Sequence, residues 1–215
     1  MSKKIQPKRN SKKIFTVILI LAVVAVILGV QWYLQSSRSL SQGVSSRAKG
    51  TPGAAIHIVE YIDFECPACA TGAKKLKEYV AMYPEKIYLE MRYYPLLNIH
   101  PHALHAARYA QCAAQQGKFW PLHDLLIERQ GQWQSLINAD PVFMQMAQEV
   151  SLDMNSLEVC LQDEKTVKLI LEERDKGSSL GVQSTPTYFI NEKMVVGVKS
   201  LTDMLQPLLE NGQNK

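Results

Sequence analysis

Residues Tyr61 to Leu76 read YIDFECPACATGAKKL, and two cysteines two residues apart stand where a strand-like run gives way to a helix-like one. Upstream, AIHIVEYIDF from Ala55 is dense in β-branched and aromatic residues and too continuous for a half-exposed strand. It predicts a central strand buried on both faces. Downstream, CPACATGAKKLKEYVAMY predicts a helix: Pro67 suits its first turn, and Leu76, Tyr79, Val80 and Tyr83 recur at helical spacing before Pro84 stops it. KIYLEMRYYPL then predicts a second strand, so the region opens as a βαβ unit.

The middle of the chain is helical in pattern. His102 to Gln116, FWPLHDLLIERQ, Asp140 to Val150, Asn155 to Gln162 and Glu164 to Leu180 all show helical apolar spacing. They make an insertion over about residues 98–182, far longer than a loop. After it PTYFIN and MVVGV read as strands around an Asn191-Glu192-Lys193 turn, and Leu201 to Leu209 reads as a last amphipathic helix. Phe119, Trp120, Met144, Met146 and Met154 are expected to fill the helical core. The 47% hydrophobic content is enough for such a core.

The start of the chain reads differently. Residues 1–13 carry Lys3, Lys4, Lys8, Arg9, Lys12 and Lys13 with no acid, a basic tail, and Ile14 to Leu34 then runs without a charge. At 1.5 Å per residue that run reaches about 31 Å, the thickness of a bilayer core, so it predicts a transmembrane anchor. No small-x-small cleavage site follows, and Trp32 and Tyr33 suit the outer interface. The basic residues before the span set the tail in the cytoplasm and the main domain outside. Residues 35–54, rich in Ser, Gly and Gln up to Pro52, read as a flexible linker with a reach of roughly 23 Å. The domain proper is then 55–212.

Charge excludes one class of function. All 20 acidic residues lie from Thr51 onward against 15 of the 24 basic ones, a net of −5 for the exported part, so nucleic-acid binding is not expected.

The cysteine spacing has a chemical reading. A thiolate, not a thiol, attacks a disulfide, and a helix N-terminus with its unpaired N–H groups favours a negative sulfur. Cys66 is therefore the expected nucleophile, and Cys69, one turn inward, the thiol that resolves a mixed disulfide at Cys66. The dipeptide between them, Pro67-Ala68, tunes the couple: Ala68 offers no hydrogen-bond donor or cation toward the sulfur, and Glu65 beside Cys66 opposes its ionisation, so a less oxidising pair is expected than one with His or another polar residue at 68. The alternative is half of a zinc site, which needs two more ligands. No second Cys-x-x-Cys exists, and His57, His100, His102, His105 and His123 show no metal spacing, so no metal and no cofactor are predicted. Cys112 and Cys160 are either buried thiols or, outside the membrane, a structural disulfide, the pairing that remains once Cys66 and Cys69 are set aside.

The strand, Cys-Pro-x-Cys at a helix start, a long helical insertion and Thr185-Pro186 before TYFIN resemble the DsbA-like thiol:disulfide oxidoreductases. HPHALHAARYAQCAAQQGKFWPLHDLL and LEVCLQD add to the likeness, which covers about Ala55 to Leu209. The resemblance implies an α/β fold, thioredoxin-like with a helical insertion, here preceded by one N-terminal transmembrane helix. It implies that Thr185-Pro186 is a cis-proline loop facing the cysteines and binding substrate backbone. It also implies that Glu60, six positions before Cys66, is a buried acid exchanging the proton of Cys69. As partners it implies unfolded exported proteins as substrates and an integral-membrane, quinone-linked thiol oxidase, with the chain itself monomeric. A reductase or isomerase of the same fold, or a thioredoxin-fold module that binds peptides without turnover, are the alternatives.

Overall fold

The computed structural model describes residues 15–31 and 46–211. Residues 15–31 form helix α1, which belongs to a unit of its own. Its large apolar side chains, from Phe15 through Leu21 to Val30, are all exposed. Among the described residues no helix is long and apolar enough to cross a membrane. Ile14 and Trp32 to Leu34, the ends of the expected span, lie outside the described residues, as do the basic tail and linker positions 35–45.

The second unit runs through β1 (Ala48–Gly50), β2 (Ile56–Ile62), α2 (Pro67–Met82), β3 (Ile87–Tyr93), α3 (Ala103–Gln115) and α4 (Phe119–Glu128). It continues through α5 (Gln130–Trp133), α6 (Asp140–Glu149), α7 (Met154–Gln162) and α8 (Glu164–Ser179). It closes with β4 (Thr187–Ile190), β5 (Lys193–Val196) and α9 (Gly197–Asn211). The sheet order is β1-β3-β2-β4-β5, with β2 parallel to β3 and antiparallel to β4.

The continuous apolar run of β2 is explained by burial on both faces. Ile56 and Ile58 pack with Leu76 and Val80 of α2 and Leu201, Leu205 and Leu209 of α9. Tyr61, on the opposite face, packs with Tyr94 and Val182. There α8 comes so close that a Cβ on Gly177 would stand 2.6 Å from the Tyr61 ring, closer than packed atoms allow. The β4–β5 hairpin turns through Asn191 and Glu192, both at positive φ, as a two-residue turn between twisted strands demands.

One boundary needs correction. Linker residues were expected to continue to 54, but Ala48–Gly50 is a strand antiparallel to β3, with Ala48 opposite Glu90. Arg47 just before it is 1% exposed and grips Glu173 of α8 through two bonds of 2.7 and 2.6 Å. A three-residue edge strand is held by backbone bonds and one arginine, neither of which leaves an apolar period in a Ser-rich stretch.

Helices α3 to α8 form the insertion, centred on Tyr109, Leu122, Trp133, Phe143 and Ile170. Cys112 of α3 and Cys160 of α7 are joined in a disulfide. Of the five residues expected to fill this core, Phe119 and Met146 do, Trp120 and Met154 pack at its edge, and Met144 is exposed.

Candidate active site

Cys66 is the N-cap of α2, with extended backbone (φ −76, ψ 122), and Pro67 is its first helical residue. The ring of Pro67 fixes a helical φ where no N–H is needed. Cys69, three residues on, is 0% exposed, whereas Cys66 retains 7% exposure. Both are free thiols.

The peptide bond between Thr185 and Pro186 is cis. It faces the cysteines: Cys66 Sγ lies 3.5 Å from the Thr185 carbonyl oxygen. Thr185 and Pro186 immediately precede β4, the direct neighbour of β2, so a residue 119 positions from Cys66 is delivered by sheet pairing.

The two sulfurs are electrostatically unlike. Donation by the Cys69 thiol, with help from the backbone N–H groups of Cys69 and Ala68, outweighs burial and lowers the Cys66 pKa to about 5. Burial first, and the neighbouring Cys66 second, push Cys69 well above its ordinary value. At neutral pH Cys66 is a thiolate and Cys69 a thiol. Ala68, expected to offer no hydrogen-bond donor, contributes its backbone N–H. Glu65 does not prevent the lowering: its carboxylate is taken up by the His102 N–H at 2.6 Å, and burial raises its own pKa.

Glu60 lies on β2, 1% exposed, with Oε1 lacking a hydrogen-bond partner. Burial, opposed by Tyr188, pushes its pKa up to about 8.

Two side chains invisible to the sequence reading brace the loop before Cys66. Asp63 accepts from Glu65 N, Leu96 N and His100 Nδ1, each at 2.8 Å. Gln130 of α5 donates through Nε2 to the carbonyls of Phe64 at 2.8 Å and Cys66 at 3.0 Å. Four of the five histidines sit beside carboxylates, His100 with Asp63 and His105 with Asp140 among them. The partners lie 37 and 35 residues away, so no local spacing announces them. Among the described residues no three His, Cys, Asp or Glu side chains are grouped to hold a metal ion.

Comparison with known proteins agrees with this architecture. The family profile described as Thioredoxin matches residues 43–210. DsbA2 of Pseudomonas aeruginosa is 26% identical with a TM-score of 0.59, covering 76% of this chain and 93% of its own. Alpha-DsbA1 of Wolbachia pipientis, at 20% identity, gives a TM-score of 0.67 over 76% of this chain and 89% of that one. Oxidised BdbD of Bacillus subtilis, at 16%, gives 0.65 over 79% and 94%. Fold and site thus define a thiol:disulfide oxidoreductase with a helical domain embedded in a thioredoxin fold. The chain belongs to the thioredoxin family, among its DsbA-like members.

A curated relative has a different kind of name. The Na(+)/H(+) antiporter NhaA 3 of Salinispora tropica is 35% identical over 143 residues, 66% of this chain but 21% of the antiporter. The chain therefore spans about a fifth of the length of the curated relatives it matches. Most of a matched stretch that long lies within 43–210.

Proposed function

We propose that the chain is a membrane-tethered dithiol oxidase that forms disulfides in unfolded exported proteins, with Cys66 and Cys69 as its redox pair. The observation that carries this reading is the difference between the two sulfurs. A stabilised Cys66 thiolate favours the reduced form, which makes the Cys66–Cys69 disulfide an oxidant.

In the oxidised chain a substrate thiolate attacks Cys66 Sγ, the Cys66–Cys69 bond breaks, and Cys69 leaves as a thiolate that takes up a proton. Glu60, neutral below about pH 8, is the proton source. The second substrate thiolate then attacks the substrate sulfur of the mixed disulfide. A disulfide forms in the substrate, and Cys66 departs as the low-pKa thiolate it already prefers to be. Thr185 and Pro186 hold the substrate backbone beside Cys66. An integral-membrane, quinone-linked thiol oxidase takes the two electrons and restores the disulfide. The catalytic chain acts as a monomer.

The tether is residues 14–34, with the N-terminus cytoplasmic and the domain outside the cell membrane. This part of the reading is supported by the six basic residues before an uncharged run and by the exposed apolar surface of α1. The closed Cys112–Cys160 bond fits an oxidising compartment. Cation antiport is not proposed, because the match to antiporters covers a fifth of their length.

The test is the reduction potential of the purified chain, together with oxidation of a dithiol peptide. An oxidising potential with peptide oxidation lost in Cys66→Ser supports the reading. A potential as low as that of cytosolic reductants turns it into the reductase alternative, and peptide binding that persists in Cys66→Ser without turnover leaves only the binding module.

A further inference from the structure

Besides the Thr185 hydroxyl, two buried polar atoms near the site lack hydrogen-bond partners, Glu60 Oε1 and the Tyr188 hydroxyl. They belong to directly opposed residues: Glu60 of β2 and Tyr188 of β4 are register partners in the antiparallel pair. Directly opposed residues project their side chains from the same face of a sheet. That face is the one covered by α2, where Tyr188 and Leu76 share a core. Tyr188 is 0% exposed.

The hydroxyl reaches further than the sheet. A Cβ placed on Gly72 would overlap it, so Tyr188 ends in a gap that exists because position 72 has no side chain. Gly72 is three residues after Cys69, and positions i and i+3 of a helix lie on one face. The tyrosine oxygen is thus set against α2 at position 72, one turn after Cys69, and its residue stands opposite Glu60 across the strand pair. The titratable groups acting on Tyr188 are Glu60 from β2 and Cys69 and Cys66 from α2. The neighbour of Glu60 on β3, Met91, carries no charge.

We propose that Tyr188 is the proton relay between Glu60 and Cys69. The inference rests on the exchange mechanism above and adds to it the residue through which the acid acts. When Cys69 leaves as a thiolate, it takes the phenolic proton, and the tyrosine oxygen takes the proton of the Glu60 carboxyl. The result is a Cys69 thiol, an intact tyrosine and a Glu60 carboxylate. In reverse, as Cys69 attacks a mixed disulfide, its proton moves to the tyrosine oxygen and the phenolic proton to the Glu60 carboxylate. A phenol suits the role because it donates and accepts at one atom, and burial raises its pKa, so it is never left as the anion. Phenylalanine would fill the same space without carrying a proton.

The test follows the reduced full chain reacting with oxidised glutathione, with acid quenching to count the Cys66–glutathione mixed disulfide and its conversion to the Cys66–Cys69 bond. In Tyr188→Phe the first step is expected at its normal rate, which also shows that the fold is intact. The second step is expected to slow by at least ~10-fold, the low end of general acid–base contributions. Its pH profile should lose the rise around pH 8 that belongs to Glu60. Glu60→Gln should lose the same rise, and the double variant should be no slower than the slower single one, as for two groups in one relay. A Tyr188→Phe chain that closes its disulfide at the normal rate, or with the Glu60 step still present, overturns the relay. So does a double variant whose losses multiply. A Cys69→Ser chain that accumulates no mixed disulfide rejects the exchange mechanism instead, so the two failures are distinguishable.

Discussion

The two cysteine pairs of this chain have the same atoms and opposite surroundings. Cys66 and Cys69 stand at the start of α2, where N–H groups and a partner thiol converge on one sulfur. Cys112 and Cys160 stand mid-insertion, in a core of alanines, aromatic rings and leucines, where Cys160 meets one polar side chain, the Thr166 hydroxyl at 3.5 Å. The first pair is asymmetric, so one sulfur is charged and the other is not. The second pair is closed into a bond between helices. What separates a redox pair from a structural one here is therefore the donors aimed at a sulfur, not its exposure, since Cys66 and Cys160 are 7% and 6% exposed.

The sharpest way to break this contrast is to exchange the consequences of removing each pair. Cys66→Ser is expected to reduce exchange with a dithiol peptide to the level of free thiols, while the unfolding midpoint of the reduced chain stays nearly unchanged below about pH 5, where the parent's Cys66 is itself protonated. Removing Cys112 and Cys160 together, as alanines, is expected to do the reverse. It should cost about 4 kcal/mol in denaturant unfolding, the chain-entropy estimate for this loop. The Cys66 alkylation rate should stay unchanged. Loss of exchange in the second variant would show that the helical bond tunes the redox pair and that the contrast is false.

A smaller effect tests the buried acid beneath the first pair. The folded chain holds the Glu60 proton up to about pH 8, whereas an unfolded chain releases it near 4.5. The folded state therefore binds more protons between those values, and Glu60 lowers stability as pH rises through that window. Glu60→Gln should unfold like the parent at pH 4 and be more stable at pH 8, by roughly 3 kcal/mol given partial relaxation. Equal stability at both pH values would show that the acid is not held neutral.

The smallest effect concerns the brace between the insertion and the redox loop. Gln130→Leu leaves the Phe64 carbonyl without its donor, while the Cys66 carbonyl keeps the Ala70 N–H at 3.2 Å, and should cost ~1–3 kcal/mol. If the brace aims Cys66 at the helix N-terminus, iodoacetamide titration should show its thiolate forming at higher pH than the parent's midpoint of about 5. An unchanged midpoint would confine Gln130 to stability.

Much of the site was legible because it is local. The Cys-Pro-x-Cys at the end of an apolar run specifies a strand, an N-cap and a first-turn proline within a dozen residues. Thr185-Pro186 and Glu60 were reachable through resemblance, since neither has a local pattern that marks it. Asp63, Gln130 and Tyr188 were not reached. An aspartate before a helix, a glutamine in a helix and a tyrosine in a strand are each ordinary until their partners are known.

By itself the sequence determined the alternation of strand and helix, the position of the helix start that polarises Cys66, and the insertion that separates it from Pro186. These follow from periodicity and backbone preference, which act over a few residues. Tertiary structure alone decided that Arg47 grips Glu173, that Gln130 holds the carbonyls of Phe64 and Cys66, and that the Tyr188 hydroxyl fills the gap over Gly72. Those contacts join residues 126, 64 and 116 positions apart, and hydrogen bonds and close approaches over such separations impose no period on the chain.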